Sequence, residues 1–192
     1  MSPARVLRNT TFTELLATWG AHEASGRLKA QLEEELPPNE RQSHPLTLAA
    51  KRLLESNDPA VQQMAGIEIA LNFRAPVVLR ILGLNPTGLC VEVEIDADHA
   101  PGLLTFDGRP LNVWARSLPN EEQAYIKTRT RNDVCVGGPL VTLANSLSTP
   151  PFVLMDGNHR AAAWLMHQNS EEAYSLRLGL VIVSTSLVPL LK

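Results

Sequence analysis

Asp156, Gly157, Asn158, His159 and Arg160 follow one another between an apolar run, 152-FVLM-155, and an alanine-rich one, 161-AAAWLM-166. A carboxylate, a glycine, an amide, an imidazole and a guanidinium in five consecutive places suit chemistry on phosphate. Phosphoryl transfer needs charge neutralised, reactants positioned and a proton moved. Arg160 carries a planar fork that matches phosphate oxygens. Gly157 and Asn158 allow a backbone to approach and add a polar contact. An imidazole ordinarily titrates near neutral pH, so His159 is the candidate general acid or base. Asp156 is placed to orient His159 or to hold Mg²⁺ through water, since Mg²⁺ is satisfied by one or two carboxylates plus substrate oxygens.

The flanking runs must position these groups. Residues 152–155 read as a buried strand and 161–167 as a helix, which three alanines favour. The five residues then lie at a strand's carboxyl end and a helix's amino end, where α/β folds bind ligands. The first amides of a helix lack partners and attract anions. Asp-Gly-Asn is also ordinary turn chemistry, and Asp is a good helix cap. A cationic pair in a helix's first turn opposes the helix dipole, however, which argues for a ligand rather than for stability.

The string 154-LMDGNHRAAAWL-165 resembles the signature of the ParB/sulfiredoxin superfamily, in which a strand, a loop of the form D-G-x-H-R and an alanine-rich helix grip nucleotide phosphates. The resemblance spans about residues 76–184, and residues 1–75 have no counterpart in it. It implies an α+β fold: a ParB/sulfiredoxin-like mixed sheet with a strand–loop–helix phosphate site, preceded by N-terminal helices. It also implies ATP or another nucleoside triphosphate as ligand, Mg²⁺ as a companion, and ATP hydrolase or DNA nuclease activity. Asn158 stands where sulfiredoxins need a reactive cysteine, so sulfinic acid reduction is not expected. Asn158-His159-Arg160 replace the Glu-Arg-Arg of chromosome-partitioning members, and only 32 residues follow Arg160, so centromere binding is not expected either. D-G-H-H-R loops include free-serine kinases. The size and layout are similar to plasmid fertility-inhibition factors, which implies a target in conjugative or T-DNA transfer. A nucleotide-binding adaptor or inhibitor without catalysis is the alternative, docking a protein partner through helices in residues 11–72.

The remaining elements are read from spacing. Thr11 and Glu14 form a capping box before Phe12, Leu15, Leu16 and Trp19. Further helices are expected at 27–32, 45–56 and 59–72. Residues 76–82 and 89–95 read as a hairpin turning at 85–88, with Glu92 and Glu94 on its wet face. Asp107-Gly108 marks a second hairpin between 103–106 and 111–114, with Arg109 a weaker site candidate facing the same cleft. Lys127, Arg129 and Arg131 are the densest basic cluster: a solvated loop, or a contact with a nucleic-acid backbone. Gly137-Gly138 is either a bend or a close approach to phosphate. Residues 140–143 and 176–183 read as strands. The division is a helical region at 1–75 and a second domain at 76–192.

Bulk properties bound these readings. The 192 residues carry a net charge of −3, with 44% hydrophobic and 19% charged side chains. That charge excludes a protein whose whole surface binds nucleic acid, but not a local basic site. Cys90 and Cys135 lack zinc-ligand spacing and are expected to pack as buried thiols. No apolar run reaches the ~18 residues of a membrane span, and the N-terminus lacks a signal-peptide core, so a cytoplasmic location is expected.

Overall fold

Proline and cap chemistry start several of the helices. The computed structural model describes residues 4–84, 86–147, 150–168, 173–184 and 187. It divides the chain into two units, Phe12–Gly83 and Met1–Thr11 with Leu84–Lys192. The first unit comprises α1 (Phe12–Ser25), α2 (Arg27–Glu35), α3 (Pro38–Arg41), α4 (Pro45–Glu55), α5 (Pro59–Phe73) and α6 (Ala75–Gly83). In α3, α4 and α5 a proline stands in the first turn, where its missing N–H would have no partner anyway. The Asp58 carboxylate accepts the Ala60 amide at 2.9 Å and caps α5.

Small residues bring α1 against α5. A Cβ on Gly20 would lie 1.8 Å from the Gly66 carbonyl oxygen, and one on Gly66 would lie 2.5 Å from that of Ala17. The two backbones therefore meet directly. Leu28, Leu32, Ala49 and Ile69 fill a small core beside them. Glu23 is buried there too, but it is paired with Arg74 at 2.6 Å and accepts from the Trp19 indole at 3.3 Å, as a buried carboxylate requires.

Residues 76–82 are a helix, not the expected strand. The amides of Val77 and Val78 both donate to the Arg74 carbonyl, so the turn at the end of α5 runs on into α6. Val78 and Ile81 are buried while Leu79 and Leu82 are exposed, a spacing of three that satisfies a helix and not a strand.

The second unit is built on a six-stranded mixed sheet: β1 (Arg5–Thr10), β2 (Pro86–Ile95), β3 (Leu103–Leu104), β4 (Leu140–Ala144), β5 (Phe152–Leu154) and β6 (Leu176–Val183), in the order β1-β2-β6-β4-β5-β3. The β1/β2, β2/β6 and β4/β5 pairs are antiparallel, and the β4/β6 and β3/β5 pairs are parallel. The class is α+β. β2 pairs with β1 and β6 and makes no hairpin with residues 76–82; of the expected turn, Asn85 lies outside the described residues. The structural division falls at Thr11 and Leu84, because β1 belongs to the sheet and α6 to the helices.

Glu92 is buried rather than on a wet face. Its side chain is only 2% exposed, held between Arg8 of β1 and Arg177 of β6, the latter at 2.5 Å. Burial pushes its carboxyl up, but the hydrogen bonds and charges of the two arginines outweigh this and hold it below the usual carboxylate range. Glu94, half-buried, pairs with Arg5.

Helices α7 (Leu111–Ser117), α8 (Asn120–Thr128), α9 (Arg131–Cys135) and α10 (Asn158–His167) share one core with Val91, Val93 and Ile95 of β2 and Leu178, Leu180 and Ile182 of β6. The Asp107-Gly108 turn forms, with the Thr105 amide donating to the Arg109 carbonyl at 2.9 Å and Gly108 at φ 81°. Its second arm does not, since 111–114 begin α7. Leu111, Trp114 and Ala115 are buried at i, i+3 and i+4, a helical face. Because β5 runs antiparallel to β4, and β4 parallel to β6, the end of β5 and the beginnings of β4 and β6 lie at one end of the sheet.

Candidate functional site

The loop from Asp156 to Arg160 leaves β5 at that end and turns at once into α10. Gly157 makes the turn. It is the residue preceding the helix, in the left-handed region at φ 80°, and a Cβ there would lie 2.5 Å from a Leu140 methyl group. Glycine alone occupies that conformation without strain. The first hydrogen bond within α10 is donated by Ala161 to the Gly157 carbonyl at 2.9 Å. The amides of 158–160 belong to the helix's first turn, which attracts anions.

The side chains of that turn diverge. Asn158 has its Oδ1 buried with no hydrogen-bond partner among the described residues; a buried acceptor of this kind calls for a ligand donor or a water. His159 is half-exposed and sits edge-on to Trp114, with ring centroids 5.2 Å apart, and Tyr125 lies 6.5 Å away. Its Nε2 is 3.1 Å from Oε2 of Glu122, in the first turn of α8. A carboxylate can only accept, so Nε2 carries the proton and Nδ1 is left with its lone pair in the neutral ring. Arg160 is 7% exposed, and its Nη1 donates to the Gly138 carbonyl at 3.2 Å. Gly138 has φ 70° and lies just before β4, so the Gly137-Gly138 pair turns the chain and delivers a carbonyl to the guanidinium. Asp156 is half-buried beside Gly157.

The other candidates fall in different places. Asp107 and Arg109 are used on each other, Nε to Oδ2 at 2.7 Å, and Arg109 reaches the Ser117 hydroxyl at 3.3 Å; the pair is turn structure. Lys127 ends α8 exposed. Arg129 lies over the Tyr125 ring at 4.6 Å, and Arg131 over the Tyr174 ring at 5.4 Å. Arg131 begins α9 rather than lying in a loop, and Thr130 caps that helix through the Asp133 amide. Cys90 is buried as expected, but Cys135 is exposed. Its place at the last turn of a five-residue helix leaves it uncovered. Among the described residues no group of three or more His, Cys, Asp or Glu side chains could hold a metal ion.

Three contributors escape sequence reasoning: Glu122, Trp114 and the Gly138 carbonyl. The first two come from helices 37 and 45 residues upstream of His159, and no local spacing links them to it. No protein-family model, curated protein or solved structure matches this chain. No helix among the described residues is long and apolar enough to cross a membrane.

Proposed function

We propose that this chain is a phosphoryl-chemistry protein of the ParB/sulfiredoxin type, in which the Asp156–Arg160 loop grips the phosphates of ATP, or of another nucleotide or DNA, for hydrolysis. The observation that carries this reading is the buried Arg160 in the first turn of α10, behind a glycine at positive φ. A buried guanidinium beside helix amides is an arrangement suited to a bound anion.

The residues divide the work. Arg160 and the amides of Asn158 and His159 would bind phosphate oxygens. Nδ1 of His159, left with its lone pair because the proton stays on Nε2 and is donated in a hydrogen bond to Glu122, would receive a proton from the attacking water. Glu122 is then a positioning residue. Asp156 is the loop's own carboxylate and would hold Mg²⁺ through water. Lys127 and Arg129 would contact a DNA backbone, and the setting implied by the resemblance is inhibition of conjugative or T-DNA transfer.

A second reading has its own support. His159 and Arg160 are already tied to Glu122 and Gly138, which suits a nucleotide-holding adaptor that does not turn over. Purified protein with Mg²⁺, given labelled ATP and supercoiled DNA in separate reactions, separates the two. Turnover should fall about a hundredfold in Arg160→Lys, as when a transition-state charge contact is lost. It should fall about tenfold in Glu122→Gln, as when a group orienting the reacting one is removed. An unchanged rate in folded Arg160→Lys would sink the catalytic reading, and saturable binding without turnover in the wild type would establish the adaptor. A free-serine type kinase would consume ATP only when a small hydroxyl compound is added.

A further inference from the structure

At the same end of the sheet, α9 and the chain entering β6 enclose a cavity of about 290 Å³. Its wall includes Arg131 and Cys135 of α9, Gly138, Tyr174, Glu94 of β2 and Arg177 of β6. It shares Gly138 with the loop, whose Arg160 donates to the Gly138 carbonyl, but none of the five loop residues lines it.

The charges around it are unevenly committed. Glu94 is paired with Arg5, and Arg177 with Glu92 at 2.5 Å. The carboxylate of Asp133, on the same helix as Arg131, accepts from the Thr130 amide and hydroxyl at 2.7 and 2.8 Å. Arg131 has no ion pair among the described residues, and its guanidinium is laid over the Tyr174 ring. Stacking of that kind holds the planar fork in place while leaving its N–H groups to donate.

Tyr174 supplies the second, independent observation. The residue is 92% buried, and its hydroxyl has no hydrogen-bond partner among the described residues. Its main chain is anchored, the carbonyl accepting from the Trp164 indole at 2.7 Å and from Gln168 at 3.1 Å. Burial, and after it the neighbouring Cys135, push the hydroxyl up to about 12, against the opposing pull of Arg131. It therefore stays protonated and able to donate throughout the neutral range. Among the described residues, then, a buried donor without an acceptor lies beside a cation without an ion pair, a combination suited to an oxyanion.

We propose that this cavity is a separate binding pocket for a small molecule bearing a phosphate or carboxylate group, gripped by the Arg131 fork and the Tyr174 hydroxyl. Its volume is at the lower end of the roughly 300–1,000 Å³ of ligand pockets, which fits a compact metabolite rather than a nucleoside triphosphate. The pocket stands independently of any activity at the loop.

Cys135 provides the readout. It lines the cavity and is exposed, whereas Cys90 is buried with its thiol pushed up to about 11 and serves as an unreactive internal control. The alkylation rate of Cys135 in the full chain is measured by mass spectrometry against increasing inorganic phosphate or malonate, with ionic strength held constant by sodium chloride. At least one of the two should slow alkylation saturably. The half-protecting concentration should rise about tenfold in Arg131→Gln, the scale of one lost hydrogen bond to a charged group, and less in Tyr174→Phe, which keeps the stacked ring. Lys51→Gln, an exposed position on α4, should leave it unchanged. Protection by phosphate alone assigns a phosphate-bearing ligand, by malonate alone a carboxylate, and by both a general oxyanion pocket. Slowing no greater than sodium chloride gives, or protection undiminished in Arg131→Gln, would overturn the proposal.

Discussion

Gly157 is the residue on which the candidate site turns. It does two jobs, taking a left-handed conformation and passing close to Leu140. Replacement by alanine imposes both penalties. The conformational one is about 1 kcal/mol, and the 2.5 Å approach to a methyl group adds to it unless the flexible Leu140 side chain swings aside. Gly157→Ala should therefore lower stability by about 1–3 kcal/mol. Combination with Leu140→Ala should restore none of the conformational part, because that part belongs to the glycine's backbone. Urea unfolding of the single and double variants checks this, and a Gly157→Ala protein as stable as the wild type would show that the turn relaxes freely. The residue types of the site were legible from 156–160 alone, because strand, turn and helix signals are local there. The partners of those residues were not. Glu122 and the Gly138 carbonyl reach His159 and Arg160 only through packing, which no short window of sequence encodes.

At the scale of elements, two misreadings have one physical origin each. The run Val77-Val78-Leu79-Arg80-Ile81-Leu82 is rich in branched side chains and looks like a strand, but β propensity mostly measures fit to a half-buried pleated surface. Here the segment inherits a helical turn from α5, and Val78 and Ile81 find burial on one side of a helix. Glu92 alternates with valines and looks wet, and the alternation is real. What buries it is a pair of arginines from β1 and β6, and β1, only Arg5–Thr10 with most of its side chains exposed, has no apolar pattern to reveal it. The Glu92 pair has a pH signature. The folded carboxyl lies below its ordinary 4.5, so the folded state favours the ionised form. Its contribution to stability is fully present above 4.5 and is lost as pH falls through the folded value. Glu92→Gln should cost about 2 kcal/mol at neutral pH, less than the 3–5 kcal/mol for a fully buried pair because both arginines stay half in water. The gap between variant and wild type should narrow as pH falls below 4.5, and chemical denaturation across that range reads it directly. A gap that stays constant with pH would mean that the charge of Glu92 contributes nothing.

For the whole molecule, a net charge of −3 leaves only local basic groups to meet an anion, and Arg160 and Arg131 lie at one end of the same sheet in two different settings. Arg160 is buried behind Gly157, and Arg131 is stacked at the wall of a cavity. The helices of Phe12–Gly83 form a unit with its own small core; α4 and α5 are legible in their proline and cap signals, whereas α3 and α6 are not. Phosphate binding by the Asp156–Arg160 loop underlies every catalytic role proposed for this chain. Equilibrium binding of labelled ATP to the intact protein, with Arg160→Lys and Lys127→Gln beside the wild type, tests that directly. Saturable binding to the wild type, weakened at least about tenfold in Arg160→Lys and unchanged in Lys127→Gln, is the predicted result. Wild-type protein that binds no ATP, or Arg160→Lys that binds it equally well, would contradict the account.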